Sequence, residues 1–309
     1  TDLALGTTSR PVIDPLPTWV AAGLGCLLGT TAAWNLVLAA GVVVTSLGGA
    51  RLCRALGGSP AVGAVGLPLS AIYLGSLQSG LTEDAFLGLV ALSWALALEG
   101  RWIRAGLLAG ITAGFGLYLG WFAGVGLACL WAWTRPGLSG VVSLRAAVRP
   151  VAALGLAAGL ALAFAAPFRG TIAAPVARPE ARAEPLWQLN PWRGADVVSF
   201  VVPGRPDKGD TVGREHPAYV GFATVGLALA GGFHPAFLGV AAAVVAAPGD
   251  SFSVAGKPTG LANPAAALLH PLPMGDRFRN HARLMLVGQL LLVALASGGA
   301  RRLAERFPA

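Results

Sequence analysis

The sequence predicts an all-α, polytopic transmembrane protein of about nine spans plus one interfacial helix. Three observations predict it. Hydrophobic residues make up 55% of the 309 residues and charged residues only 12%, about half the charged share of a soluble domain. Mean hydropathy is +0.68. Apolar runs recur along the whole chain, divided by short turns in which arginine collects. The 43 glycines fit the same class, because small residues let membrane helices approach closely. The whole chain reads as a single transmembrane domain.

The first seventeen residues are polar and turn-rich, with Pro11, Asp14, Pro15 and Pro17. They lack the basic start and apolar core of a signal peptide. They read as the interior of a loop, so a preceding segment outside this chain is expected. Thr18 to Leu28 is apolar but too short to cross ~30 Å at 1.5 Å per residue, which suits an interfacial helix. Spans are then expected at about Trp34–Ala50, Ala61–Leu77, Asp84–Leu98, Ala105–Leu117, Tyr118–Trp133 and Val151–Ala166. A long polar loop, about residues 167–217, follows. Two more spans, Ala218–Ala230 and Ala236–Ala247, flank the turn GGFHP. A second long loop covers about residues 248–283, and the last span is Leu284–Ala296.

Alternation of these spans puts Arg51/Arg54, Arg101/Arg104, Arg135/Arg145/Arg149, His234 and Arg301/Arg302/Arg306 on one side. Short loops rich in Lys and Arg face the cytoplasm, so that side is expected to be cytoplasmic. Both long loops and the acidic pair Glu83/Asp84 then fall on the extracytoplasmic side. The net charge of +8 is accounted for by these span ends, and no basic-aromatic cluster points to nucleic acid. Cys26, Cys53 and Cys129 form no CxxC pair, so neither a zinc site nor a disulfide framework is indicated. Walker, GxSxG and HExxH patterns are absent, and no dinucleotide fingerprint stands in its required context. The spans hold almost no charge at mid-depth, which argues against ion-coupled transport.

Three features of the extracytoplasmic face carry candidate chemistry. Glu83 and Asp84 open an apolar run; they read either as caps of a helix start or as a catalytic base or divalent-metal ligand. The stretch RFRNHAR gives Arg277, Arg279, His281 and Arg283 just before the last span. Guanidinium groups match phosphate bidentately, so the cluster reads either as a lipid-phosphate site or as anchoring to anionic headgroups. His281 by itself reads more simply as a surface residue. Tyr118, Trp121, Trp187 and Trp192 read either as an interfacial belt or as the walls of a sugar pocket. With no nucleotide motif, a donor substrate is expected to be membrane-borne.

The order of several segments resembles a known superfamily. They are DPLPTWVAAGLGCLLGTTAAWNLVL, ALGGSPAVGAVGLPLSAIYLGSLQSGLTEDAFLGLVALSWALAL, GLYLGWFAGVGLA, ADVVSFVVPG, HPAYVGFATVGLALAG and PMGDRFRNHARLMLVGQLLLVALASGGARRL. Their order and spacing look like the polytopic glycosyltransferases of the C-type fold (GT-C), and within them a bacterial branch. The resemblance implies a polyprenyl-phosphate-linked sugar donor, a bacterial plasma-membrane location and an acidic catalytic residue in the first extracytoplasmic loop; a divalent metal ion enters only through the reading of Glu83 and Asp84 as ligands. This chain starts downstream of that point; Asp2 and Asp14 lie in the remainder of the loop without matching a motif. The superfamily's later arginine-rich stretch maps onto Arg279, Asn280 and Arg283, with His281-Ala282 in place of a Pro-His type pair. SVAGKP resembles a glycine-rich turn of these enzymes, whereas the preceding APGDSF departs from it.

Two functions are therefore expected from the sequence. One is a membrane glycosyltransferase with Glu83 or Asp84 as base or metal ligand and Arg277, Arg279 and Arg283 on the donor phosphate. The other is a non-catalytic subunit of a membrane complex that keeps the same fold, with membrane lipids and other membrane subunits as its partners.

Overall fold

In the computed structural model, the described residues are 15–78, 82–133, 144–166, 195–202, 218–249, 251–254, 257–269 and 281–307. They are mostly helical. Helix α1 (Pro15–Leu28) begins on Pro15 and carries Pro17, residues tolerated in a first helical turn whose N–H groups have no intrahelical partner. Gly29, at φ 80°, breaks the chain before α2 (Thr30–Ala55). The 26 residues of α2 extend about 39 Å. The expected span there, Trp34–Ala50, was too short, because helix continues through Arg51 and Arg54 at an end where charges are solvated.

The run Ala61–Leu77 is two helices, α3 (Pro60–Gly66) and α4 (Ala71–Gln78), bent by 40°. Pro68 lies in the break; it has no N–H to donate and its ring crowds the preceding turn. Ser70 closes the bend with its hydroxyl donating to Leu67 O at 2.8 Å. A 3-10 turn, Thr82–Phe86, leads into α5 (Leu87–Leu98). Gly100 at φ 77° ends α5, with Arg101 N–H donating to Leu96 O at 2.8 Å, the reversed closure that a left-handed glycine allows. Next come α6 (Trp102–Phe115), α7 (Leu117–Trp133) and α8 (Leu144–Ala165). Later elements are α9 (Phe222–Ala230), α10 (Ala236–Ala246), strands β1 (Ser251–Val254) and β2 (Lys257–Ala262), α11 (Pro264–Leu269) and α12 (Leu284–Arg306).

Two expectations change here. The antiparallel hairpin β1–β2 pairs Ser251 with Ala262 and Val254 with Lys257, so the described residues are not all-α. Thr259 Oγ1 donates across it to Phe252 O at 2.8 Å, within a stretch of Ser, Phe, Val and Thr that suits a pleated surface. Among the described residues three helices are long and apolar enough to cross a membrane: α2, residues 147–165 of α8, and α12; the bent pair α3–α4 makes a fourth if taken as one span. The described residues thus support three or four spans where about nine were expected. The other runs form helices of 9 to 17 residues, about 14–26 Å long, below the ~30 Å of a hydrocarbon core.

Helix contacts are made through glycine. A Cβ on Gly48 of α2 would overlap Gly88 O of α5, and one on Gly88 would overlap Val44 O. Gly63 and Gly49 do the same for α3 against α2, Gly106 meets Ala153 of α8, and Gly299 of α12 meets Leu227 O of α9. At the α2–α5 crossing, Thr45 Oγ1 donates to Ala85 O at 2.9 Å and accepts the Gly88 N–H at 3.0 Å. One hydroxyl thereby satisfies an N–H in the first turn of α5, which has no partner within its own helix. Thr45→Val, which keeps the shape and removes the hydroxyl, is expected to cost about 1–3 kcal/mol. Denaturant unfolding in micelles measures it; an unchanged midpoint would mean the bridge adds nothing.

The helix ends sort into two groups. Arg51 donates to both Glu99 oxygens, at 2.9 and 2.7 Å. Arg301 Nη1 donates to Gly57 O at 2.7 Å, and Ser59 N–H donates to Ser297 O at 3.1 Å. The arginine-bearing ends of α2 and α12 therefore lie together with the start of α6. The hydrogen bonds from Arg51 hold the Glu99 carboxyl below its ordinary carboxylate range. The opposite end carries the first turns of α5, α7 and α12.

Candidate functional site

The 3-10 turn that holds Asp84 is fixed from two sides. Ala85 O accepts from Thr45 Oγ1 of α2 and from the Tyr73 hydroxyl of α4, both at 2.9 Å. With its carbonyl held twice, the turn cannot rotate without breaking both bonds. Phe86 packs on Phe115 of α6 with ring centroids 4.5 Å apart. Asp84 is consequently directed inward and is fully buried.

Arg283 meets it there. Its Nε lies 3.8 Å from Asp84 Oδ2, with the side chains 8% and 1% exposed. That separation is an ion pair and too long for a hydrogen bond. Among the described residues no hydrogen bond reaches either Asp84 oxygen; the Ser76 hydroxyl lies beside the carboxylate without closing to that distance. The Arg283 guanidinium also sits over the Tyr118 ring, 4.9 Å from its centroid. A cation over an aromatic face is attracted by the ring quadrupole, more strongly when desolvated. Asp84 comes from the acidic hairpin, Tyr118 from the first turn of α7 and Arg283 from the turn His281–Arg283 before α12. The three candidate features of the sequence each supply one member.

Of the remaining candidates, Trp121 has a described side chain. Trp121 is one helical turn beyond Tyr118, half-buried, with its ring edge-on to Phe122 at 5.8 Å. It faces an apolar crevice of about 500 Å³ between α7 and α10, whose walls include Trp94, Trp133 and Leu284. Glu83 is in the same 3-10 turn as Asp84, and His281 opens the turn that ends at Arg283. Arg277, Arg279, Trp187 and Trp192 lie outside the described residues. Sequence reasoning missed Thr45, Tyr73 and Trp94. Tyr73 and Thr45 are polar groups inside apolar runs, where a buried hydroxyl requires a partner, and that was the available signal. Trp94 donates through Nε1 to Ala123 O at 3.2 Å.

A divalent metal fits this arrangement poorly. Among the described residues no three His, Cys, Asp or Glu side chains come together, and the charge facing Asp84 is a guanidinium. What the cluster does offer is a buried carboxylate and a buried cation whose mutual neutralisation an incoming anion would disturb.

Comparison with protein-family models, with curated proteins and with solved structures returned no match. The class defined by the fold is thus the coarse one: a mostly helical protein with helices long and apolar enough to cross a membrane, with a buried Asp84–Arg283 pair beside the half-buried Tyr118.

Proposed function

We propose that the chain is a polytopic membrane protein of the GT-C-like kind, with about nine spans and two long loops once the short helices are counted. It transfers a sugar from a polyprenyl-phosphate-linked donor at the end that holds Asp84 and Arg283. That end faces away from the cytoplasm, and the arginine-rich end faces the cytoplasm of a bacterial plasma membrane, as the distribution of arginines favours. The observation that carries the reading is the meeting of Asp84, Tyr118 and Arg283 from three separate stretches.

In this reading the donor phosphate binds Arg283 through charge-assisted hydrogen bonds and draws it away from Asp84. The Asp84 carboxylate then takes the proton from the acceptor hydroxyl. The acceptor oxygen forms the new bond to the anomeric carbon, the bond from that carbon to the phosphate oxygen breaks, and the phosphate leaves on its lipid. The Tyr118 ring keeps the guanidinium aligned.

A second reading has its own support. Both charged side chains are closed off from solvent, as suits a structural pin between α5 and α12 in a non-catalytic subunit. Binding of polyprenyl phosphate to the purified chain separates the two. The transferase reading expects polyprenyl phosphate to bind and the uncharged polyprenol to bind about tenfold or more weakly, with the difference abolished in the charge-neutral double variant Asp84→Asn/Arg283→Gln. Equal binding of phosphate and alcohol, or a preference that survives in the double variant, leaves the structural pin as the function of the pair.

A further inference from the structure

The apolar crevice between α7 and α10 has two ends of different character. Trp121 and Leu284 line the end near the Asp84–Arg283 cluster, and Trp133 and His234 line the other. From Trp121 to Trp133 along α7 is about 18 Å at 1.5 Å per residue, close to the ~15 Å depth of one bilayer leaflet. The walls between are apolar side chains such as Val125, Leu238 and Ala242. At the Trp133 end the surroundings become cationic. The His234 ring stands 6.4 Å from the Trp133 ring. His234 Nδ1 accepts the Ala236 N–H at 3.1 Å, which leaves Nε2 as the donor of the neutral ring. Arg302 of α12 lies against the Gly231–Gly232 turn just before His234, its Nη1 2.8 Å from where a Cβ on Gly232 would stand.

Among the described residues, the two acids at this end are already engaged. Glu99 pairs with Arg51 and Glu305 with Arg301, and among the described residues no carboxylate pairs with Arg302. Arg54 and Arg306 are exposed at the C-terminal ends of α2 and α12, on the same side of the molecule. A leaflet-long apolar slot whose His234 end lies beside Arg302, which pairs with no carboxylate among the described residues, matches an amphiphile with an anionic head.

We propose that this crevice holds one acyl chain of an anionic phospholipid whose phosphate is bound by Arg302 and His234 at the arginine-rich end. The inference rests on the membrane placement proposed above and not on the transferase chemistry. It places a lipid site at the end opposite the Asp84–Arg283 cluster.

The full chain, purified in detergent and stripped of lipid, would be titrated with phosphatidylglycerol or with phosphatidylcholine of the same acyl chains. Native mass spectrometry would count the bound lipids. The first phosphatidylglycerol is expected to bind about fivefold or more tightly than phosphatidylcholine, in line with one arginine acting on an anionic headgroup. Arg302→Gln should remove that preference, and Ala242→Phe, which fills the slot, should remove the first bound lipid of either kind. Asp84→Asn/Arg283→Gln should leave both intact, which distinguishes this site from the proposed donor site. Equal binding of the two lipids by the unaltered chain, a preference that survives Arg302→Gln, or a first lipid retained by a folded Ala242→Phe would overturn the proposal. Arg302 is exposed, so its variant decides the matter even where Ala242→Phe does not fold.

Discussion

Asp84→Asn alone, or Arg283→Gln alone, is expected to lower stability by about 3–5 kcal/mol. Each leaves one charge buried opposite a neutral side chain. The carboxylate is 1% exposed and the guanidinium side chain 8%, so neither can turn to water without opening the end where α5, α7 and α12 begin. The double variant removes both charges together and is expected to recover most of the loss, since a buried pair is often replaceable by uncharged groups at little cost. Thermal or denaturant unfolding of the four proteins in micelles closes the cycle, with the coupling read as the departure from additivity. Single variants as stable as the parent would mean that the ion pair does not form in the folded protein. A double variant as unstable as the worse single would show that Arg283 holds the fold through other contacts, its place over Tyr118 among them. The result also guards the functional test, because loss of donor binding in the double variant carries meaning only if that variant folds.

Gly48→Val is expected to be still more damaging, to the point that little folded protein is recovered. The added Cβ would run into the backbone of Gly88, and Gly88→Val would reciprocally strike Val44 O and Thr45 Cα. Side chains can change rotamer to relieve overpacking, which ordinarily costs about 1–3 kcal/mol; a backbone carbonyl cannot. The helices must separate, and Thr45 then loses its bonds to both Ala85 O and Gly88 N–H. The turn carrying Asp84 loses one of its two fastenings with them. Gly155 of α8 is the control: a Cβ there meets nothing within 4 Å. Gly155→Ala is expected to stabilise by roughly 0.5–1 kcal/mol through better helix propensity. The yield of monodisperse protein and its unfolding midpoint measure all three. Tolerance of Gly48→Val would mean that α2 and α5 do not cross this closely.

Much of the candidate site was legible because charged and aromatic residues are conspicuous at the ends of apolar runs. Asp84, Tyr118 and Arg283 stood out on that ground alone. Their meeting was not legible, since no local pattern links the start of α5 to the residue before α12. Thr45 and Tyr73 were not singled out either, because one hydroxyl in an apolar run scarcely changes its hydropathy, although buried it must find a partner. The bend at Pro68 was available in the sequence and was passed over for the continuity of the apolar run around it.

The same limit explains the spans. By itself the sequence determined helix: long apolar runs, many glycines and arginines at the run ends leave few other ways to satisfy the backbone. It also determined which ends carry positive charge. It could not determine what each apolar helix is apolar toward. A helix hydrophobic on every side suits either lipid or the interior of a protein. Of the 12 residues in α5, nine are buried, so its apolar character is used against α2, α6 and α7, whereas residues 147–165 of α8, with 17% of the window buried, leave most of their apolar surface outward. Only the tertiary structure decided between these, because burial depends on which helices glycine allows to come together, and that is a property of pairs of segments distant in the chain.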